Sequence, residues 1–173
     1  MEHAASALGQ EGKCRLLIRR QPNPAEVLQF VSSGLEVGQQ IVVLATPAWL
    51  KDLAAALTAN QFRPDILLRN GRLIFLHAPD CFAKLTRRND PLDRDSLRLN
   101  GSIVRWVSDW SWAYENGRSP AEILHYQRYI HSRIHQATAL SLCTVHCSDM
   151  ERAFVLKMLV QHRCAMRGFD QTV

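Results

Sequence analysis

Five consecutive apolar residues, Ile41–Ala45 (IVVLA), leave this chain few architectures. A strand with one wet face alternates apolar and polar residues, whereas an unbroken run belongs to a parallel strand covered on both faces. Four other runs have much of this character: Cys14–Ile18 (CRLLI), Leu73–Leu76 (LIFL), Ile103–Val107 with a single Arg, and Ala139–Val145 (ALSLCTV). Helix starts stand between them. Asn23-Pro24-Ala25-Glu26 supplies an N-cap residue, a Pro at the first helical position and a Glu at the third. Val27, Leu28, Val31 and Leu35 follow at helical spacing, with Gly38 as the stop. Thr46-Pro47 opens a helix with a stripe of Leu50, Leu53, Ala54 and Leu57.

The second half repeats the pattern. Ser119-Pro120-Ala121-Glu122 carries a full capping box ahead of Ile123, Tyr126, Ile130 and Ile134. Ser148-Asp149-Met150-Glu151 starts a last helix with Met150, Phe154, Val155, Met158 and Leu159 inward. Phe62–Gly71 reads as a connector. Residues 80–100 are the least regular, with one candidate helix near Cys81–Arg87. The order β-α-β-α-β-(α)-β-α-β-α predicts a three-layer α/β domain, a mainly parallel sheet of about five strands with helices on both faces. A tail over 1–12, one domain over 13–168 and a short tail over 169–173 are expected.

Composition excludes several classes. The 173 residues are enough for one real core, and none of the apolar runs approaches the ~20 residues a bilayer span needs. Met1–Gly12 lacks the apolar centre of a signal peptide. Five scattered cysteines point to a reducing cytoplasm rather than to a disulfide framework. The net charge of +5 comes mostly from Arg, but the Arg residues are spread out with no basic block, which argues against a nucleic-acid partner.

The strand ends hold the residues with chemistry. In Val107–Ala113 (VSDWSWA), the fourth apolar run breaks into a carboxylate, two hydroxyls and two indoles. Ligands of open α/β sheets bind outside the carboxyl ends of the strands, where Asp109 would stand. His77, His146 and Cys147 close the third and fifth strands and would share that edge. Two imidazoles, an acid and a thiol suit a metal or nucleophile site; equally, such residues cap helices and bond loop backbone. Trp110 and Trp112 either line an apolar pocket or lock the loop onto the core. Arg19 and Arg20, near a helix start, suit an anion.

Other patterns yield less. A phosphate cradle of the form G-x-x-x-x-G-K-[ST] occurs nowhere, and prolines follow the first strand in Arg19-Arg20-Gln21-Pro22-Asn23-Pro24, removing donors. Nucleotide hydrolysis, a cofactor and a bound metal are therefore not expected. His131 and His135 have helical i, i+4 spacing but lack the Glu of H-E-x-x-H, so with His125 they fit a solvated face. Cys143 and Cys147 would stand ~13 Å apart on one strand, too far to bridge.

Three stretches carry a family likeness: Phe30–Ala45 (FVSSGLEVGQQIVVLA), Leu67–His77 (LLRNGRLIFLH) and VSDWSWA. They resemble the MEDS domain, the sensory domain of DcmR-type methanogen and methylotroph regulators, with Asp109 where that family tends to have Glu. The resemblance implies a RecA-like sheet without a phosphate loop and a non-catalytic sensory role. It also implies a small ligand at the carboxyl edge. The family's first strand often opens H-x-C-x-x-Y; here Cys14 is kept, with Gly12 and Leu17 in the other places. The candidate ligand-binding set is Asp109, Trp110, Trp112, His77, His146, Cys14, Arg19 and Arg20. Output would need a separate signalling partner or a homodimer, because the chain has no room for an appended helix-turn-helix. The alternatives are a RecA-like or hydrolase-type enzyme using Asp109 with His77 or His146, and a protein-interaction scaffold without ligand.

Overall fold

All five apolar runs become strands of one sheet. In the computed structural model, which describes residues 14–19, 24–86, 103–115, 117–136 and 139–146, they are β1 (Cys14–Arg19), β2 (Gln40–Ala45), β3 (Leu73–His77), β4 (Val104–Asp109) and β5 (Ala139–His146). The sheet order is β1-β5-β4-β2-β3, and every neighbouring pair is parallel. Residues Ile41 to Ala45 are wholly shielded from solvent, as their unbroken apolarity requires.

Among the described residues six helices cover the two faces: α1 (Pro24–Glu36), α2 (Pro47–Ala59), α3 (Pro64–Arg69), α4 (Ala78–Thr86), α5 (Ser111–Glu115) and α6 (Pro120–Gln136). Val27, Val31 and Leu35 of α1, Leu50, Leu53 and Leu57 of α2, and Leu67 of α3 pack on Ile41, Val43, Val107 and Leu142. On the opposite face Phe82 of α4, Trp112 of α5, and Ile123, Tyr126 and Ile130 of α6 pack on Val42, Leu44, Trp106 and Cys143. The alternation of strand side chains thus builds two cores, one per face.

Three elements differ from the sequence reading, the unforeseen α5 among them. Phe62–Gly71 is not a bare connector: α3 lies within it, with Pro64 at its start, Asp65 in its first turn and Arg69 in its last. Its single buried residue, Leu67, gives no periodicity to detect. The short helix expected near Cys81–Arg87 begins earlier, at Ala78, directly off the end of β3. The expected helix from Ser148 onward lies outside the described residues, as does the segment 87–102.

The two predicted caps that fall on described residues, Thr46 and Ser119, are in place, while Asn23 lies outside the described residues. Thr46 Oγ1 accepts the backbone N–H of Trp49 at 3.3 Å at the head of α2. In α6 the Glu122 N–H donates to Ser119 Oγ at 3.3 Å, while the Ser119 N–H donates to Glu122 Oε2 at 2.9 Å. Ser119→Ala should cost ~1 kcal/mol in a urea unfolding series, the usual value of an N-cap. The Ser119 backbone N–H, and then its hydroxyl, hold the Glu122 carboxyl below its ordinary value of 4.5. A depressed carboxylate contributes stability above its unfolded pKa. That contribution should fade as pH falls below 4.5 and be absent from Glu122→Gln.

The FVSSGLEVGQ stretch has a physical role as a seat for Arg105 of β4. Arg105 Nη1 donates to the Phe30 carbonyl and to Ser33 Oγ, both at 2.7 Å, and Nε donates to Gln39 Oε1 at 2.5 Å. Its guanidinium lies 5.0 Å from the centre of the Phe30 ring. Arg72 reaches the same helix end, donating to the Leu35 carbonyl. With no basic residue in the last turn of α1 itself, two arginines from outside meet its carbonyl end. Gly38, at φ +79°, ends the helix so that Gln39 turns back toward Arg105. A Cβ on Gly34 would come within 2.7 Å of Arg105 Cδ.

Candidate ligand site at the carboxyl edge of the sheet

The helices set the position of the edge site. β2 leads into α2 on one face, whereas its neighbour β4 leads into α5 and α6 on the other. Chains leaving adjacent strands in opposite directions open a crevice at the strands' carboxyl ends. Thr46 and Asp109 stand at this divergence.

Asp109 closes β4 and is 3% exposed. Its Oδ1 accepts from Ser111 Oγ at 2.8 Å and from Thr144 Oγ1 at 3.1 Å. The Trp110 N–H adds a bond to the Thr144 carbonyl at 2.9 Å. One carboxylate oxygen therefore ties the end of β4 to β5 and to the first residue of α5.

The indoles that follow turn inward. Trp110 and Trp112 are 1% and 2% exposed, within the α4–α6 core. Trp110 meets Tyr126 edge-on with ring centres 5.5 Å apart, and Phe82 meets Tyr126 at 4.9 Å and Trp112 at 5.9 Å. These are the tilted arrangements that aromatic quadrupoles favour. They fix the VSDWSWA turn against α4 and α6.

Strand register distributes the other candidates. His77 closes the edge strand β3 and pairs with Ala45; it is exposed, with Nδ1 3.4 Å from Asp80 Oδ2. Ser108 pairs with Leu44, so two strand spacings, ~10 Å, separate the β3 and β4 ends. Arg19 and His146 pair with each other, two residues beyond the Asp109–Thr144 level. Asp109, His77, His146 and Arg19 thus share the carboxyl edge. Cys14 begins β1, five residues back from Arg19, which puts it ~17 Å away toward the amino edge. Arg20 and Cys147 lie outside the described residues. Among the described residues no three His, Cys, Asp or Glu side chains are grouped to hold a metal ion.

Behind the edge lies a set of residues of which the sequence singled out only Trp110 as a site candidate. Trp106, Ser108 and Trp110 alternate along β4 and its exit, on the same face as α6. On α6, Tyr126 and Gln127 are 1% and 0% exposed. Among the described residues Trp106 Nε1, Ser108 Oγ, Trp110 Nε1, the Tyr126 hydroxyl and both Gln127 amide atoms have no hydrogen-bond partner. The spacing 106, 108, 110 was available as a sign, because strand alternation places such residues on one face. A Gln beside Tyr126 in the apolar stripe of α6 was another.

A doubly wound, three-layer α/β domain with a crevice at the β2–β4 divergence is the class these features define. The family model for the methanogen/methylotroph DcmR sensory domain, MEDS, matches residues 24–163, and the chain belongs to that family of sensory domains. The match begins beyond β1, so Cys14, Arg19 and Arg20 precede it. Comparison with curated proteins gives no match. Among the described residues no helix is long and apolar enough to cross a membrane.

Proposed function

We propose that this chain is a non-catalytic sensor that takes up a small ligand at the carboxyl edge of its sheet and signals to a protein partner. Family membership supports the sensory role. The observation that carries the coupling is the Asp109 lock. A single oxygen joins β4, β5 and α5, so a ligand competing for Ser111 or Thr144 would disturb three elements together. A partner resting on α5 or β5 would feel that change as a shift between two arrangements.

The enzyme reading needs Asp109 to work with His77 or His146. Asp109 Oδ1 already accepts two hydroxyls, and His77 stands two strands away beside Asp80. A general base must lie within hydrogen-bond reach of the proton it takes. That geometry speaks against an Asp109–His77 pair.

Thermal unfolding against a panel of ATP with Mg²⁺, divalent metals and small organic molecules tests the proposal. A ligand that binds only the folded state at ~100 times its dissociation constant adds roughly 2.7 kcal/mol. The expected result is stabilisation by an organic molecule, weakened in Asp109→Asn with the fold retained by circular dichroism. Stabilisation by ATP with Mg²⁺ would overturn the non-catalytic reading. No stabilisation by any compound would favour a scaffold that works through its surface alone.

A further inference from the structure

The two rims of the sheet differ in how they are protected. β1 and β3 are its edge strands, each paired on one side among the described residues. β1 carries Arg15 and Arg19, charges of the kind that keep an edge from pairing with its like. β3 has neither a charged residue nor a proline between Leu73 and Leu76, and its register with β2 runs without a bulge. Such an edge offers a row of backbone groups to another strand.

The pleat decides which groups those are. The Ile41 N–H donates to the Arg72 carbonyl at 2.8 Å, so Arg72 and, by alternation, Ile74 and Leu76 turn their backbone groups toward β2. Leu73, Phe75 and His77 turn theirs outward, where no strand of the described residues meets them. The side chains around this row are apolar and incompletely covered. Ile74, Phe75 and Leu76 are half-buried, whereas Val42, Val43 and Leu44 beside them in β2 are fully shielded. Ile66 and Leu68 of α3, the helix that leads into β3, are 42% and 41% exposed.

We propose that β3 pairs antiparallel with β3 of a second copy of this chain, joining the two sheets into one. A two-fold axis at Phe75 gives the longest register the strand allows: Phe75 opposite Phe75, Ile74 opposite Leu76, and Leu73 opposite His77. Every outward N–H and C=O then meets an outward group of the other copy. The axis is perpendicular to the sheet, so the two Phe75 rings meet on the α1–α3 face as an aromatic cross-strand pair. Charge is complementary as well. Exposed Arg69, in the last turn of α3, flanks the amino end of β3, and exposed Asp80, in the first turn of α4, flanks its carboxyl end. Antiparallel pairing sets each beside the other, twice. The pairing does not depend on the ligand reading, and it supplies a second copy as a partner.

Sedimentation velocity of the full chain across a dilution series reads the assembly, and amide exchange by NMR reads the surface. The expected result is a monomer–dimer equilibrium in which dimer formation slows the Leu73, Phe75 and His77 amides several-fold. The Ile74 and Leu76 amides, already turned to β2, should change little. Arg69→Glu and Asp80→Arg, each at an exposed site, should weaken the dimer roughly two- to thirtyfold, because the axis breaks the contact twice. The double variant should recover it. A monomer whose three outward amides exchange freely at every concentration would overturn the proposal, as would a dimer that leaves those amides unchanged. A monomer in which they exchange slowly at every dilution would overturn it in favour of another part of the same chain lying on the edge. Thermal unfolding with ligands decides the sensor reading separately, so either can fail without the other.

Discussion

Tyr126→Ala should lower the unfolding free energy by about 3–5 kcal/mol, the range for deleting a buried aromatic ring. Tyr126 is the hub of its core: Phe82 and Trp110 meet it edge-on at 4.9 and 5.5 Å, and Tyr129 stacks at 6.5 Å. Truncation strips each neighbour of a contact surface and leaves a cavity between α6 and β4. Tyr126→Phe separates ring from hydroxyl. In the ligand-free protein that hydroxyl has no described partner, so its removal should cost under ~1 kcal/mol or stabilise slightly. Urea unfolding at constant m-value reads both variants. A loss below ~1.5 kcal/mol for the alanine variant would show that the aromatic cluster is not packed as described.

Gly34→Ala should destabilise by ~1–3 kcal/mol, through overpacking rather than loss. The added methyl would stand 2.7 Å from both Arg105 Cδ and Ile41 Cδ1. Arg105 cannot swing aside cheaply, since Phe30, Ser33 and Gln39 hold its guanidinium. Arg105→Ala alone should cost ~2–3 kcal/mol, because it removes a packed stem and strands acceptors at the end of α1. In the double variant, part of the Gly34→Ala penalty should vanish with the Cδ, giving a coupling on the order of 1 kcal/mol. Strictly additive losses would mean that the helix and the arginine are not in contact.

What the sequence reveals here is what is decided locally. Unbroken apolar runs such as IVVLA mark doubly covered strands, and Ser119 with Glu122 marks a helix start, since each rests on residues adjacent in the chain. α3 escapes because Leu67 is its only buried residue, and α5 because five residues are too few for a stripe. The side-chain destinations are non-local. That Trp110 and Trp112 enter the core depends on Tyr126 and Phe82 arriving from other helices. Arg105 reads as a lone charge in an apolar strand until α1 is laid beside it. The carboxyl edge itself is legible from strand direction, and so is the position of Cys14 at the far end of β1.

Amide hydrogen exchange of the full chain with and without a saturating concentration of the organic molecule that stabilises it in thermal unfolding tests the sensor most directly. The account predicts slowed exchange at the end of β4, the start of α5 and the first turns of α6, with α3 and β3 unchanged. A response that misses residues 106–111, or spreads evenly over the chain, would contradict a ligand site coupled to the Asp109 lock.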